Sequence, residues 1–437
     1  MCAGQGFPQK VLTLSESKQL ALQNNAKNKN SKLQMEASQK VKQSAFTNYF
    51  PQISASAVTF KAQKPMMEIE SKGGNLPVYD GNPANLMTAT QFAYFPSSTM
   101  EMLKKGTLGF VNIIQPVFAG GRIVNGNRLA SLGDEVSGFQ SRLASEETML
   151  KTEEQYWQIV SLDEKAITLV KYEELLKSLL KQVEDAYKSG VSMKNDLLKV
   201  KLKLSEVRLN QSKLDNGRKL AVMAFCQYIG IPYDSTLKLQ DNLEIKDTPQ
   251  SYYVDNNESL VKRTEYSLLQ KSVEAEQLQT KMKIGEFLPQ AAIGLNGTYM
   301  KFDESKSRTF GILFGTVSIP ISGWWGGSYD IQEHHLKEQI AENNLKDNSE
   351  LLLLQMQKSW TDLKDAYKQY ELCIESKAQA EENLRVNEDS YKNGLSTISD
   401  LLEAQALLQQ TRDNLTDAQA SYKTKAGNYL SVTARAN

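Results

Sequence analysis

No stretch of this 437-residue chain holds 18 consecutive apolar residues, so no helix is apolar enough over a sufficient length to cross a membrane. A transmembrane β-barrel is untouched by that absence, because each of its strands carries only a weak alternating signal. Excess charge is missing too. The chain has 51 basic and 51 acidic residues, so no electrostatic footprint points to nucleic acid. There is no glycine-rich phosphate loop; Gly120-Gly121 and Gly326-Gly327 read as corners. The only two histidines, His334 and His335, are adjacent and would diverge by about 100° on a helix, a poor geometry for a shared metal. They read as ordinary helix residues, and no catalytic set, cofactor or metal is expected. No signal peptide is visible, so for an exported protein the sequence is expected to be a mature or trimmed form. Met1 is a poor residue before a lipid-bearing cysteine, which leaves lipidation of Cys2 open.

What the chain does have, it has twice. AYKSGVSMKNDLL begins at Ala186 and SYKNGLSTISDLL at Ser390, an offset of 204 residues that also relates Tyr187 to Tyr391, Gly190 to Gly394 and Asp196 to Asp400. Each copy lies between a very long helical pattern and a second one about half as long. Glycine closes a helix at positive φ, and Ser192 and Ser396 are N-cap types for a restart. Each copy therefore reads as the tip of a long helical hairpin, and the whole chain as an internal two-fold repeat. The same offset sets Cys226 and Cys373 opposite leucines, so both read as small core hydrophobes.

Taken in order, residues 1–11 read as a lead-in and residues 12–230 as the first repeat. That repeat is predicted to hold a helix over 15–48, strands over 51–60 and 107–118 with a long loop 61–106, a long helix 122–189, a tip 190–192 and a helix 193–229. Residues 231–257, with Pro232 and Pro249, form a small midpoint subdomain and crossover. The second repeat, 258–437, has a helix over 258–287, strands over 289–302 and 308–321, a long helix 327–393, a tip 394–396 and a helix 397–432. Pro51 and Pro289 each stop a helix and open an extended run, while Pro116 and Pro320, also 204 apart, close the matching runs.

The strand periods and lengths fit strands crossing an outer membrane. Ala291, Ile293, Leu295 and Tyr299 share one face, Gly294, Asn296 and Thr298 the other. A soluble hairpin packed on helices is the alternative. The first strand pair carries a connection rich in turn formers, read as a loop at one end of a barrel. In the long helices, Met356, Trp360, Leu363, Tyr367, Tyr370 and Ile374 follow steps of four and three, and Leu401, Leu408, Leu415, Tyr422 and Tyr429 recur every seven. Both describe a left-handed coiled-coil seam. A coiled-coil scaffold without a pore would explain the helices but not four barrel-like strands.

Helix, strand pair, very long helix, tip and shorter helix, all repeated, resemble the TolC family of outer-membrane efflux channels over nearly the whole chain. The most specific residues are Phe50-Pro51-Gln52 and Leu288-Pro289-Gln290, with the two Tyr-x-x-Gly tips followed by Asp-Leu-Leu. The resemblance implies a mainly α fold with a β-barrel portion: three chains each give four transmembrane strands to a single twelve-stranded barrel, and their helices form a long tube through the periplasm. Four strands are too few to close a barrel, which agrees with a homotrimer. The implied role is a passive exit duct, not an enzyme, in the outer membrane of a Gram-negative bacterium. Its implied partners are a periplasmic adaptor and an inner-membrane transporter that supplies the energy. A type I protein-secretion duct is the same architecture with another cargo. Gly190, Val191, Ser192 and Gly394, Leu395, Ser396 fall where that family docks adaptor hairpins; the alternative is turn chemistry alone. Asp400 and Glu403 share a helix face and match two family aspartates that ring the closed periplasmic mouth, where crowding would raise their pKa values and attract cations. The first tip repeats the acid at Asp196 but has Lys199 at the next matching position. Tyr391 matches a latch residue, and the family's arginine two after the glycine is Ser396, so the latch is expected to differ. The bland alternative is a solvated acidic pair.

Overall fold

The computed structural model describes residues 11–303 and 305–435, so Cys2 and nearly all of the lead-in lie outside the described residues. In chain order, β1 (Val11–Leu12) leads into α1 (Leu14–Asn24) and α2 (Ala26–Phe46). Then come β2 (Gln52–Lys61), β3 (Met67–Ser71), β4 (Gly74–Pro77), β5 (Phe92–Phe95), β6 (Ser98–Met102) and β7 (Lys105–Ala119). The first hairpin is α3 (Arg122–Lys188) and α4 (Lys194–Ile229), followed by β8 (Lys238–Leu239), α5 (Pro249–Tyr252) and α6 (Asn256–Leu260). The second repeat holds α7 (Thr264–Glu286), β9 (Gln290–Phe302), β10 (Arg308–Ser318), α8 (Trp324–Lys392) and α9 (Ile398–Val432). The chain is mainly helical, and no helix among the described residues is long and apolar enough to span a membrane.

Contacts divide the chain into two units. The first, Met1–Lys40, Ser131–Glu276 and Lys337–Asn437, holds the tips, the midpoint and most of the long helices. Its core is a series of clusters along the helices. Tyr156, Val160, Phe225 and Ile229 pack with Leu12 of β1 and with Leu237 and Leu243 of the midpoint. Met356, Trp360 and Leu363 pack with Tyr422 and Tyr429. Toward the tips, Leu176, Leu179 and Val183 meet Val200 and Leu204 of their own hairpin and Ile398 and Leu401 of the other. Polar anchors fix the midpoint: the Tyr156 hydroxyl, fully buried, lies 2.7 Å from Asp241 Oδ2 and 3.1 Å from Leu12 O. In the second repeat the Tyr422 hydroxyl donates to Asp247 O at 2.6 Å.

Several expectations shift here. The first predicted helix is two, because Asn25 turns extended between α1 and α2, accepts from Lys27 N–H and donates to Tyr228 O, both at 2.8 Å. Val11 is not lead-in but pairs in parallel with Lys238. The seam on α8 holds through Tyr367, whose ring lies 5.4 Å from that of Tyr422, and then leaves the predicted track: Ala366 is buried, whereas Ile374 is 43% exposed. A straight helix drifts against a seven-residue repeat, and a small residue lets the neighbouring helix take the new line. Leu415 is likewise only half-buried. Cys226 is in the core, but Cys373 is half-buried at its edge.

The second unit, Val41–Ala130 and Gln277–Leu336, carries β2 to β7, β9 and β10. Four of them form an antiparallel sheet in the order β10-β9-β7-β2, so the two repeats meet where β7 pairs with β9. Pro116 does not close its strand. β7 continues to Ala119 past a bulge between Pro116 and Phe118, beyond the last β2 partner, Ile114, where the missing N–H breaks no β2 bond. Directly paired residues share a face. One face carries Asn112, Asn296 and Thr298, with the Asn296 amide bonded to the Asn112 carbonyl oxygen. Phe310, Ile312 and Phe314 lie on this same face, and the Phe314 ring occupies the space a Cβ on Gly294 would need. The opposite face is apolar: Ile53, Ile113, Leu295 and Leu313 form one row across all four strands. The predicted loop 61–106 contains two further ladders, β3 with β6 and β4 with β5.

Candidate functional site at the paired helical tips

Both tips close in the same way. Gly190 and Gly394 take φ of 74° and 70°. At the first, Gly190 N–H donates to Tyr187 O at 3.0 Å and Val191 N–H to Ala186 O at 2.9 Å. At the second, Gly394 N–H donates to Tyr391 O at 3.0 Å and Leu395 N–H to Ser390 O at 2.8 Å. These are paired Schellman closures, in which the left-handed glycine lets two amides satisfy the last helix carbonyls. The residues after the glycines stand bare: Val191 is 83% exposed and Leu395 81%.

The restart lies one residue later than predicted. Neither Ser192 nor Ser396 is an N-cap. Met193 caps α4 with no side-chain bond, and Thr397 caps α9. Thr397 forms a capping box with Asp400: its N–H and hydroxyl donate to the carboxylate at 2.8 and 2.7 Å, and its oxygen accepts from Asp400 N–H at 3.3 Å. Reciprocal satisfaction of two amides outcompetes a serine one position earlier. The T-x-x-D pattern was present in the sequence and is the signal that locates it.

That box changes the electrostatics expected of Asp400. Within one chain, the Thr397 side chain and backbone hold its carboxyl below the ordinary aspartate range, and nearby Lys199 adds to this. The crowding that would raise it requires neighbouring copies. Glu403 is exposed one turn on. Lys199 is the residue whose placement the sequence did not reveal. Its ammonium donates to Ser399 Oγ at 2.6 Å, tying the second turn of α4 to the first turn of α9. Asp196 accepts from Ser192 Oγ at 3.4 Å. Tyr391 is half-buried, and burial followed by the charge of Asp196 pushes its phenol upward, so it remains a protonated donor. Asp196, Lys199, Tyr391 and Asp400 are thus brought to one end of the paired hairpins. Pro51, Pro289 and Pro320 flank strands of the other unit, Pro116 lies within β7, and none of the four takes part. His334 and His335 lie within α8, and no group of three or more metal-ligating residues forms among the described residues.

Residues 260–428 match the family model described as outer membrane efflux protein. No curated protein sequence matches the chain. Among solved structures, VceC of Vibrio cholerae aligns with a TM-score of 0.73 at 14% identity, covering 96% of this chain and 95% of that one. CmeC, an outer membrane channel of Campylobacter jejuni, aligns with a TM-score of 0.76 at 15% identity over 97% and 86%. The open state of the Neisseria gonorrhoeae MtrE outer membrane channel gives 0.74 at 13% over 97% and 89%. The second repeat is therefore similar to the outer membrane efflux protein family, and the chain as a whole has the fold of the outer-membrane channels to which the TolC-like repeat pointed.

Proposed function

We propose that the protein is the passive exit duct of a tripartite efflux pump in a Gram-negative outer membrane. One observation carries the reading: a four-stranded sheet whose edge strands, β2 and β10, each pair on one side only among the described residues and are bare on most of their length. Such edges demand partners. Three copies joined β2 to β10 would close a twelve-stranded barrel, with the Ile53–Ile113–Leu295–Leu313 row toward lipid and the Asn112–Asn296 face toward the lumen. The exposed Trp324 and Trp325, just after β10, suit the interfacial belt of such a barrel. The helices also leave apolar residues bare at helical spacing, including Leu202 with Leu209 and Leu351 with Leu354. Neighbouring copies in a helical tube would cover these.

In this reading the tips form the periplasmic entrance. Val191 and Leu395, held outward by the glycine closures, are the docking points for a periplasmic adaptor that links the duct to an inner-membrane transporter. Asp400 and Glu403 from three copies would ring the aperture and favour cations. Lys199 beside Asp400 offsets part of that charge, so the two sets of residues act in opposite directions. In planar bilayers, Asp400→Asn with Glu403→Gln should lower cation preference, and Lys199→Met should raise it. Unchanged selectivity in both variants would remove the tips from the pore.

A further inference from the structure

The duct reading leaves the connection between β2 and β7 unused, yet it exposes many large apolar residues. Ala62 N–H donates to Lys104 O at 2.8 Å, and the β3–β6 and β4–β5 ladders continue the hairpin outward as a two-stranded arm. Pairing sorts its sides. Met67 faces Met102 and Ile69 faces Met100 on one; Glu68 faces Glu101 on the other. The methionine side is exposed, as are Tyr79, Phe92 and Tyr94 farther out, and Met87 at the arm's end is 94% exposed. A thin ribbon with this much bare apolar surface calls for a cover.

The base of the arm decides which way it leans. Asp303, in the turn after β9, donates its N–H to Lys105 O at 2.9 Å. Its carboxylate accepts from Lys105 N–H at 2.9 Å and Lys104 N–H at 3.3 Å. Leu103 is bent to φ 60° beside this clamp. Met100 and Met102, with Glu101 and Leu103, then line a cavity of about 420 Å³ together with Met300, Phe302 and the charged Lys306 and Arg308. Met300 and Phe302 alternate in register with Asn296 and Thr298, so the methionine side of the arm looks over the Asn112–Asn296 face of the sheet, not the Leu295–Leu313 face.

We propose that the arms of three copies lean over the mouth of the barrel and bury their methionine rows and aromatic ends against one another, forming a lid on the exit. The inference rests on the trimeric-barrel reading, in which the Asn112–Asn296 face is inward. The occupant of each apolar side is the arm of the neighbouring copy, while Glu68 and Glu101 stay in water. Unbranched thioether side chains suit a contact that has to part and re-form, because they repack without a fixed geometry.

The test uses the full chain in phosphatidylethanolamine–phosphatidylglycerol vesicles, with Cys2 and Cys373 replaced by serine and Met87→Cys added. A short bismaleimide should join these chains into covalent dimers and trimers. In the wild-type background, replacing residues 65–103 with an Asn-Gly turn should raise single-channel conductance by removing a series constriction. A bimane label on Ile69→Cys should be insensitive to nitroxide-bearing lipid. A trimer by native mass that yields no covalent dimers overturns the lid and leaves the duct standing. Bimane quenching by the nitroxide lipid also overturns it, assigning the apolar side to the bilayer. A chain that is not a trimer removes the duct and the lid together.

Discussion

Replacing Gly394 with alanine separates the left-handed corner of a tip from every other contribution. Gly394 sits at φ 70° with nothing within 4 Å of where a Cβ would be, so no clash enters and only the backbone conformation is charged. That cost is about 1–2 kcal/mol for an L-residue in the left-handed region. It falls on the closure made by Gly394 N–H to Tyr391 O and Leu395 N–H to Ser390 O, at 3.0 and 2.8 Å. Opening of those amides should therefore be favoured by about 5- to 30-fold. Hydrogen exchange on the peptide spanning Tyr391 to Thr397 reads this directly, with a peptide around the buried Leu408 as an internal control that should not change. Asparagine, which visits the left-handed region more readily, should fall between glycine and alanine, and valine should exceed alanine. Adaptor docking should weaken in the same order, because Leu395 loses its fixed outward position. Alanine exchanging at the wild-type rate, or an order unrelated to left-handed preference, would refute the reasoning.

Gly285→Ala should be far more damaging than the tip change, since its Cβ would lie 2.3 Å from Gly120 O and neither backbone can yield; the loss of heat-stable oligomer on a gel checks it. Tyr156→Phe removes the hydroxyl held between Leu12 O and Asp241 Oδ2. With a charged acceptor involved, the cost should be about 1.5–3 kcal/mol, read as a lower thermal midpoint with the oligomer intact.

The repeat made most of the fold legible, because 204-residue self-similarity aligns helices, strands and tips at once. Gly190 and Gly394 were readable as left-handed closures since few other residues tolerate that φ. What escaped depends on contacts between distant segments. Lys199 gives no local sign that it reaches Ser399, 200 residues on. The β3–β6 and β4–β5 ladders were hidden by Pro65, Gly73, Gly74, Pro77 and Pro96, turn formers that also sit at the ends of very short strands. Pro116 read as a strand end because its missing N–H is harmless only where β2 has already stopped, a register the sequence does not display. The departure of the α8 seam after Tyr367 follows from which neighbour each helix turn meets, and periodicity alone carries no such information.

Native mass spectrometry of the detergent-extracted protein tests the central claim most directly, because a four-stranded sheet with two open edges has to be completed by other copies. The account predicts a single species of three copies of the 49.0 kDa chain that survives detergent exchange and forms channels in a planar bilayer. A stable monomer or dimer in solution without detergent would contradict it.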